Sequence, residues 1–381
     1  MDGHTYKSEK LSINRKKFYF KIKFYPRNCS CLVAYALALF LLFSHYTAGY
    51  SANINEILEA ESKYWTPNSL FCLSELPSAS TISASIECPT GSECFPTSAN
   101  SAGGRLECQD GDMTMFNSLL CFAGINQGCA AVSDAQNSVT GQWFRSPRLR
   151  KYPRLRGANS FSPDMALGVM LWATTRPDDE KTKRFRWWVD WIGRNQRCVT
   201  EGCTKRVARF CPDDDVDGNS EAVLGCTLKP GDFAILGSVV DFLKIEVTDP
   251  DLKRALSKAA PNAVGFVVTS AQLNKPGYSQ HLVGVDILIL RSLGIDDPAL
   301  MEAARTLAAD QPKNPFFAWL AGSPDTQVAQ LISQTCPMSE VQVPTPDQRS
   351  DWAWQREDAE EAWKHSMLWD CRFIAALLKD I

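Results

Sequence analysis

From residue 111 onward, apolar residues recur at helical spacing over much of the chain. In GDMTMFNSLLCFAG (111–124), Met115, Phe116, Leu119 and Leu120 lie one, three or four residues apart, which predicts a helix. SFSPDMALGVMLWATT (160–175) adds Ser162 at a cap and Pro163 at the first helical position, a strong start signal. Further helices are predicted over 179–194, 230–247, 249–260, 279–294, 297–310, 314–322, 325–336 and 365–381. They are of two sorts. Those beginning near 112, 162, 279 and 366 are apolar nearly all round and should be buried. Those near 180, 250, 298 and 325 are amphipathic and should lie outside. No segment reads as a series of strands. The expected fold class is mainly α, either an inner ring of helices within an outer ring or an irregular helical bundle.

The pattern before residue 111 is different. Residues 7–27 carry eight Lys or Arg and one Glu, and the uncharged run LVAYALALFLLF (32–43) and the small residues of HYTAGYSA follow. This is the three-part layout of a secretory signal peptide, expected over 1–51 with cleavage near Ser51 or Ala52. An uncleaved anchor is the alternative, although the apolar run is shorter than the roughly 20 residues that span a bilayer. NINEILEAESKYW (53–65) reads as a short helix. The rest of 52–110 is a Cys-, Ser- and Pro-rich irregular segment, and 111–381 is a helical domain.

Cysteine usage agrees with export. Setting aside Cys29 and Cys31 leaves an even twelve of the 14 cysteines, which in an exported chain reads as a disulfide set. Close spacing suggests Cys121–Cys129, Cys198–Cys203 and Cys211–Cys226, with Cys336–Cys371 tying late elements together. Without residues 1–51, which hold eight basic and two acidic side chains, the net charge moves from −3 to −9. That balance argues against nucleic acid as a partner, and no membrane partner is expected after signal cleavage. One local exception is RSPRLRKYPRLR (145–156), with six basic residues and no acid, which is either a contact for an anionic polymer or a solvated loop.

GDMTMFNSLLCFAG and SPDMALGVMLWATT each begin with a small residue and Asp-Met ahead of an apolar run. With this echo and the alternation of helix types, 111–381 resembles the α/α-toroid scaffold of secreted carbohydrate-active enzymes. The resemblance implies acidic residues at inner-helix ends facing a central cleft, here Asp112 and Asp164. Through GDMTMFNSLLC, FRSP, SFSPDMALG, NPFFAWLAG and SMLWDC the chain also resembles a group of uncharacterised exported bacterial proteins, to which no activity attaches.

Several residues are candidates for chemistry. Asp112 and Asp164 can flank a glycosidic bond as a carboxyl pair; each is equally an acidic cap that complements a helix dipole. Tyr278 and His281 have the residue types of a uronate-lyase acid and base, with Arg156 and Asn159 to neutralise a substrate carboxylate; His281 is otherwise a packed helix-start residue. Trp143, Trp352 and Trp354 stand in polar contexts where rings can stack on sugars. Asp213, Asp215 and Asp217 alternate ahead of Gly218, as in the first half of an EF-hand loop, and Glu221 offers a later oxygen. Leu224 stands where the closing Glu belongs, so the loop is either a structural calcium site or a solvated acidic turn. Asp286 and Asp370 lie inside apolar helices, where a lone carboxylate is expensive; each calls for an Arg partner or a function. Asp190 has Arg186 and Arg194 one turn away on either side.

The expected function is a secreted helical enzyme acting on a polysaccharide, anionic for preference, as a glycoside hydrolase through Asp112 and Asp164 or as a lyase through Tyr278 and His281. The alternative is a non-catalytic, disulfide-rich exported binding or effector protein.

Overall fold

The computed structural model describes residues 71–73, 94–96, 98–102, 105–109, 113–151, 161–198, 200–211, 226–336 and 367–379. All belong to the compact unit Gly49–Ile381. The predicted helix at 53–65 and Ser366 lie outside the described residues, as does the segment before Gly49.

The order begins with short strands β1 (Phe71–Leu73), β2 (Cys94–Pro96), β3 (Ser98–Ala102) and β4 (Arg105–Gln109). β1 pairs antiparallel with β2, and β3 with β4, where an irregular segment was expected. Helices α1 (Met113–Phe122), α2 (Asn126–Asp134), α3 (Pro147–Lys151), α4 (Pro163–Thr174) and α5 (Asp179–Arg194) follow. A two-residue ribbon, β5 (Arg197–Cys198) with β6 (Arg206–Val207), precedes α6 (Pro230–Phe242), α7 (Pro250–Ala259), α8 (Ala263–Leu273) and α9 (Tyr278–Ser292). The chain ends with α10 (Pro298–Asp310), α11 (Pro315–Leu320), α12 (Asp325–Thr335) and α13 (Met367–Lys379). The protein is mainly α, as the apolar periodicity predicts.

Helix starts follow cap chemistry. Asp178, Asp249 and Asp297 accept from the N–H groups of Lys181, Leu252 and Ala299, and Asn314 from those of Phe316 and Phe317. Three helices were not anticipated. α2 is built from small residues, and α3 forms inside the basic stretch. α8 holds three Val with one Thr and one Gly and continues from α7 through a 3₁₀ turn at Ala260–Asn262. Weak intrinsic propensity hides such helices until packing supplies the stability.

α9 packs against α4, α6, α8, α10 and α11 and buries nine of its fifteen residues. The sequence left a ring and an irregular bundle open; both are mainly α, and it is the mainly α class that the described residues show. α1 and α4 meet with almost no side chain between them. A Cβ on Gly168 would stand 2.5 Å from the Met115 Cα, so no larger residue fits without separating the helices. Further along, Trp172 Nε1 donates to the carbonyl of Cys129, whose disulfide partner Cys121 is near the end of α1. The two helices therefore run in the same direction, and their starts face the same end of the bundle.

Aromatic residues fill two regions. Trp188 stacks on Phe210 at 5.6 Å and meets Phe161, Phe185 and Trp143 edge-on. Phe373 meets Phe122, Phe316 and Trp319 edge-on. The disulfides Cys121–Cys129, Cys198–Cys203 and Cys211–Cys226 are formed as the spacing suggested. Cys336 is also disulfide-bonded, and the side chain of Cys371 is outside the described set. No helix among the described residues is long and apolar enough to cross a membrane.

Candidate functional site

The starts of α4 and α9 meet at a carboxylate. Ser162 holds the cap position of α4 in an extended conformation, and Pro163 sets the first helical residue. The Ser162 side chain makes no cap bond to the backbone; its hydroxyl donates to Asp164 Oδ1. Tyr278, first residue of α9, donates its phenol hydroxyl to Asp164 Oδ2. Asp164 is 9% exposed, so both oxygens are held by protein hydroxyls in a nearly dry setting. Its charge also lies in the first turn of a helix, where the dipole favours an anion.

The position of Tyr278 follows from what holds α9. Gly277 has φ +122°, a conformation open to glycine, and it turns the chain into the helix. Asn274 donates to the Ser279 carbonyl. Gln280, fully buried, donates to the Asn274 carbonyl at 3.2 Å and to Asp310 Oδ2 at 2.6 Å, and accepts from Gln311 at 2.8 Å. Gln311 in turn accepts from Asn314, the cap of α11. A network satisfied at each of these atoms rigidifies the entry to α9.

On the α4 side, Phe161 is fully buried against Trp188, and its carbonyl touches the Cys211–Cys226 disulfide, with sulfurs at 3.0 and 3.6 Å. Both ends of the acidic loop are therefore fixed three residues before Asp164. The loop's calcium candidates Asp213, Asp215, Asp217 and Glu221 lie outside the described residues, as do Asp112, Arg156, Asn159, Trp352 and Trp354. Among the described residues no group of three His, Cys, Asp or Glu side chains is arranged to hold a metal ion.

The other candidates are placed by packing. Trp143 is fully buried; its indole N–H donates to the Val132 carbonyl at 2.7 Å and its ring packs against Trp172 and Trp188. A ring with no exposed face cannot stack on a sugar. His281 is 4% exposed, and its ring lies 5.4 Å from that of Phe316, inside the bundle rather than at its surface. The basic stretch is partly consumed by the fold: Arg145 is buried and Arg150 pairs with Asp134 at 2.8 Å. Asp190 accepts from Thr248 at 2.9 Å, while Arg194 donates to the Thr140 carbonyl.

Among the described residues Asp286 has no Arg partner, one of the two explanations that its place in an apolar helix called for. Its Oδ1 is sealed from solvent and has no hydrogen-bond donor, although the residue as a whole keeps some exposure. Burial holds its carboxyl well above the usual carboxylate range, and the nearby charge of Asp232 adds to the effect. Asp232, in the first turn of α6, accepts from the Lys229 N–H at 2.7 Å. Burial raises its carboxyl too, against the lowering influence of that N–H and of the Lys229 charge. Asp232 was missed because it reads as an ordinary helix-start acid; only tertiary packing sets it near Asp286.

Comparison with known protein families, with curated proteins and with solved structures gives no match. The functional reading therefore stands on the site alone.

Proposed function

We propose that the chain is an exported helical enzyme that cleaves an anionic polysaccharide at the shared start of α4 and α9. The observation that carries this reading is the hydrogen bond from Tyr278 to Asp164, which joins a residue expected for elimination to one expected for hydrolysis. Three disulfides among the described residues and the signal-like leader support export.

The geometry favours elimination. In a uronate, the carbon next to the carboxylate loses its proton to the Tyr278 oxygen while the phenolic proton passes to Asp164. The C–H and glycosidic C–O bonds break, a C=C bond forms, and solvent protonates the leaving oxygen. Asp164 thereby takes the place that His281, packed on Phe316, does not reach. Hydrolysis by Asp164 with Asp112 is the second reading, supported by the parallel starts of α1 and α4. The non-catalytic alternative also has an observation behind it: Asp164, held by two hydroxyls, ties α4 to α9 as a staple. Calcium in the Cys211–Cys226 loop is a separate proposal, tested by titration calorimetry in which heat on adding Ca²⁺ supports it and no heat overturns it.

The deciding experiment incubates the mature protein with neutral and acidic polysaccharides and reads ultraviolet absorbance of unsaturated uronates beside new reducing ends. Elimination yields both signals, and both are lost in Tyr278→Phe and Asp164→Asn variants that keep the native circular dichroism. Reducing ends without absorbance mean hydrolysis. Silence across the panel overturns the enzymatic reading.

A further inference from the structure

Among the disulfides with both cysteines described, the one on the β5–β6 ribbon stands apart. Cys198 is exposed and Cys203 half-buried. By contrast Cys121, Cys211 and Cys226 are buried. A thiol in solution therefore meets the Cys198–Cys203 bridge first. Arg206 lies across the ribbon from Cys198, and its Nε donates to Cys203 Sγ at 3.4 Å. A guanidinium at that distance stabilises the sulfur as a thiolate. Cys203 also has φ +55°, directly after Gly202 at φ +71°. Left-handed backbone suits the glycine but is disfavoured for a residue with a Cβ, so opening the bridge lets Cys203 relax.

The ring can open while the fold stays closed. Its cysteines are 5 residues apart, against 8 and 15 for the other two bridges, and the shortest ring removes the least entropy from the unfolded chain. The base of the ribbon has its own attachments. Gln196 donates to Asp249 Oδ1 at 2.8 Å, and the Asn195 side chain donates to the Cys211 carbonyl. Within the turn, the Cys203 N–H donates to the Thr200 carbonyl at 3.0 Å and the Lys205 N–H to the Thr200 hydroxyl at 2.9 Å.

We propose that Cys198–Cys203 is a thiol–disulfide exchange site for a low-molecular-weight thiol, with the Cys198 sulfur attacked and Cys203 the leaving sulfur. The external thiol loses its proton and its thiolate attacks Cys198 Sγ. The Cys198–Cys203 bond breaks, its electron pair stays on Cys203 beside Arg206, and a mixed disulfide forms on Cys198. A second external thiolate attacks the external sulfur of that mixed disulfide and releases Cys198. Two external thiols are thereby oxidised to their disulfide, and the protein bridge is reduced to two thiols that take up the two protons. This holds whether or not the chain cleaves a polysaccharide.

The test treats the folded protein with β-mercaptoethanol, an uncharged thiol, so that Arg206 acts on the leaving sulfur rather than by attracting the reagent. Samples are quenched in acid over time, and mass spectrometry of the peptides reads each bridge and the site of the adduct. Cys198–Cys203 is expected to open at least about tenfold faster than Cys121–Cys129 and Cys211–Cys226, with unchanged circular dichroism and the early adduct on Cys198. In Arg206→Gln, an exposed substitution, opening should slow by roughly threefold, because the leaving thiolate has lost its cation. Equal rates for the three bridges, an adduct chiefly on Cys203, or an unchanged rate in Arg206→Gln each overturn the proposal.

Discussion

Asp164 and Asp286 carry the same side chain in opposite settings. Asp164 stands in the first turn of α4, with a hydroxyl donor on each oxygen. Asp286 stands in the middle of α9, with Oδ1 sealed and, among the described residues, without a donor, and with a second carboxylate as its charged neighbour. Both are largely withdrawn from water. Burial alone therefore does not decide what an acid does; the donors supplied to it do. With two O–H groups and the positive end of a helix, a buried carboxyl serves as an acceptor and a point of attachment. With neither, burial pushes its carboxyl well above the usual carboxylate range.

The comparison can be broken from the Asp164 side first. Replacing both Cys211 and Cys226 by Ser frees the loop anchored on Phe161. For a bridge spanning 15 residues we expect a loss of about 3 kcal/mol in urea unfolding. Asp164→Ala leaves the Ser162 and Tyr278 hydroxyls without their acceptor and should cost about 2 kcal/mol at neutral pH. Tyr278→Phe removes one of the two donors and should cost about 1 kcal/mol, with α9 otherwise in place. Asp286→Asn has the opposite sign: at alkaline pH it should stabilise by about 1 kcal/mol, and in acid it should change little. The smallest effect sharpens the contrast. Glu302, 68% exposed and paired with Arg305, should change stability by under about 0.5 kcal/mol when replaced by Gln.

Much of the helical frame was legible because it rests on local signals. The run 179–194 was readable to the residue: Asp178 caps it, acids open it, Arg194 closes it, and Phe185, Trp188, Val189 and Ile192 mark one face. The short-range disulfides were legible for the same reason, since few residues separate the paired cysteines. α8 was not legible, because Val, Thr and Gly give weak helix propensity and its buried residues acquire meaning only against α6, α9 and α10. Trp143 was misread because polar neighbours such as Gln142 and Arg145 suggested exposure, yet both are themselves buried. Asp286 could be singled out as an anomaly, but its neighbour Asp232, more than fifty residues earlier, could not.

By itself the sequence determined what depends on neighbours along the chain: helical periodicity, caps, near-range disulfides and the basic and acidic stretches. Only the tertiary structure decided which polar groups meet. It joined Tyr278 to Asp164 across 114 residues and brought the charge of Asp232 to bear on Asp286. The physical reason is that a carboxyl's charge state and role depend on donors, charges and water within a few ångströms. Those neighbours are supplied by packing between distant helices, and no spacing along the chain encodes them.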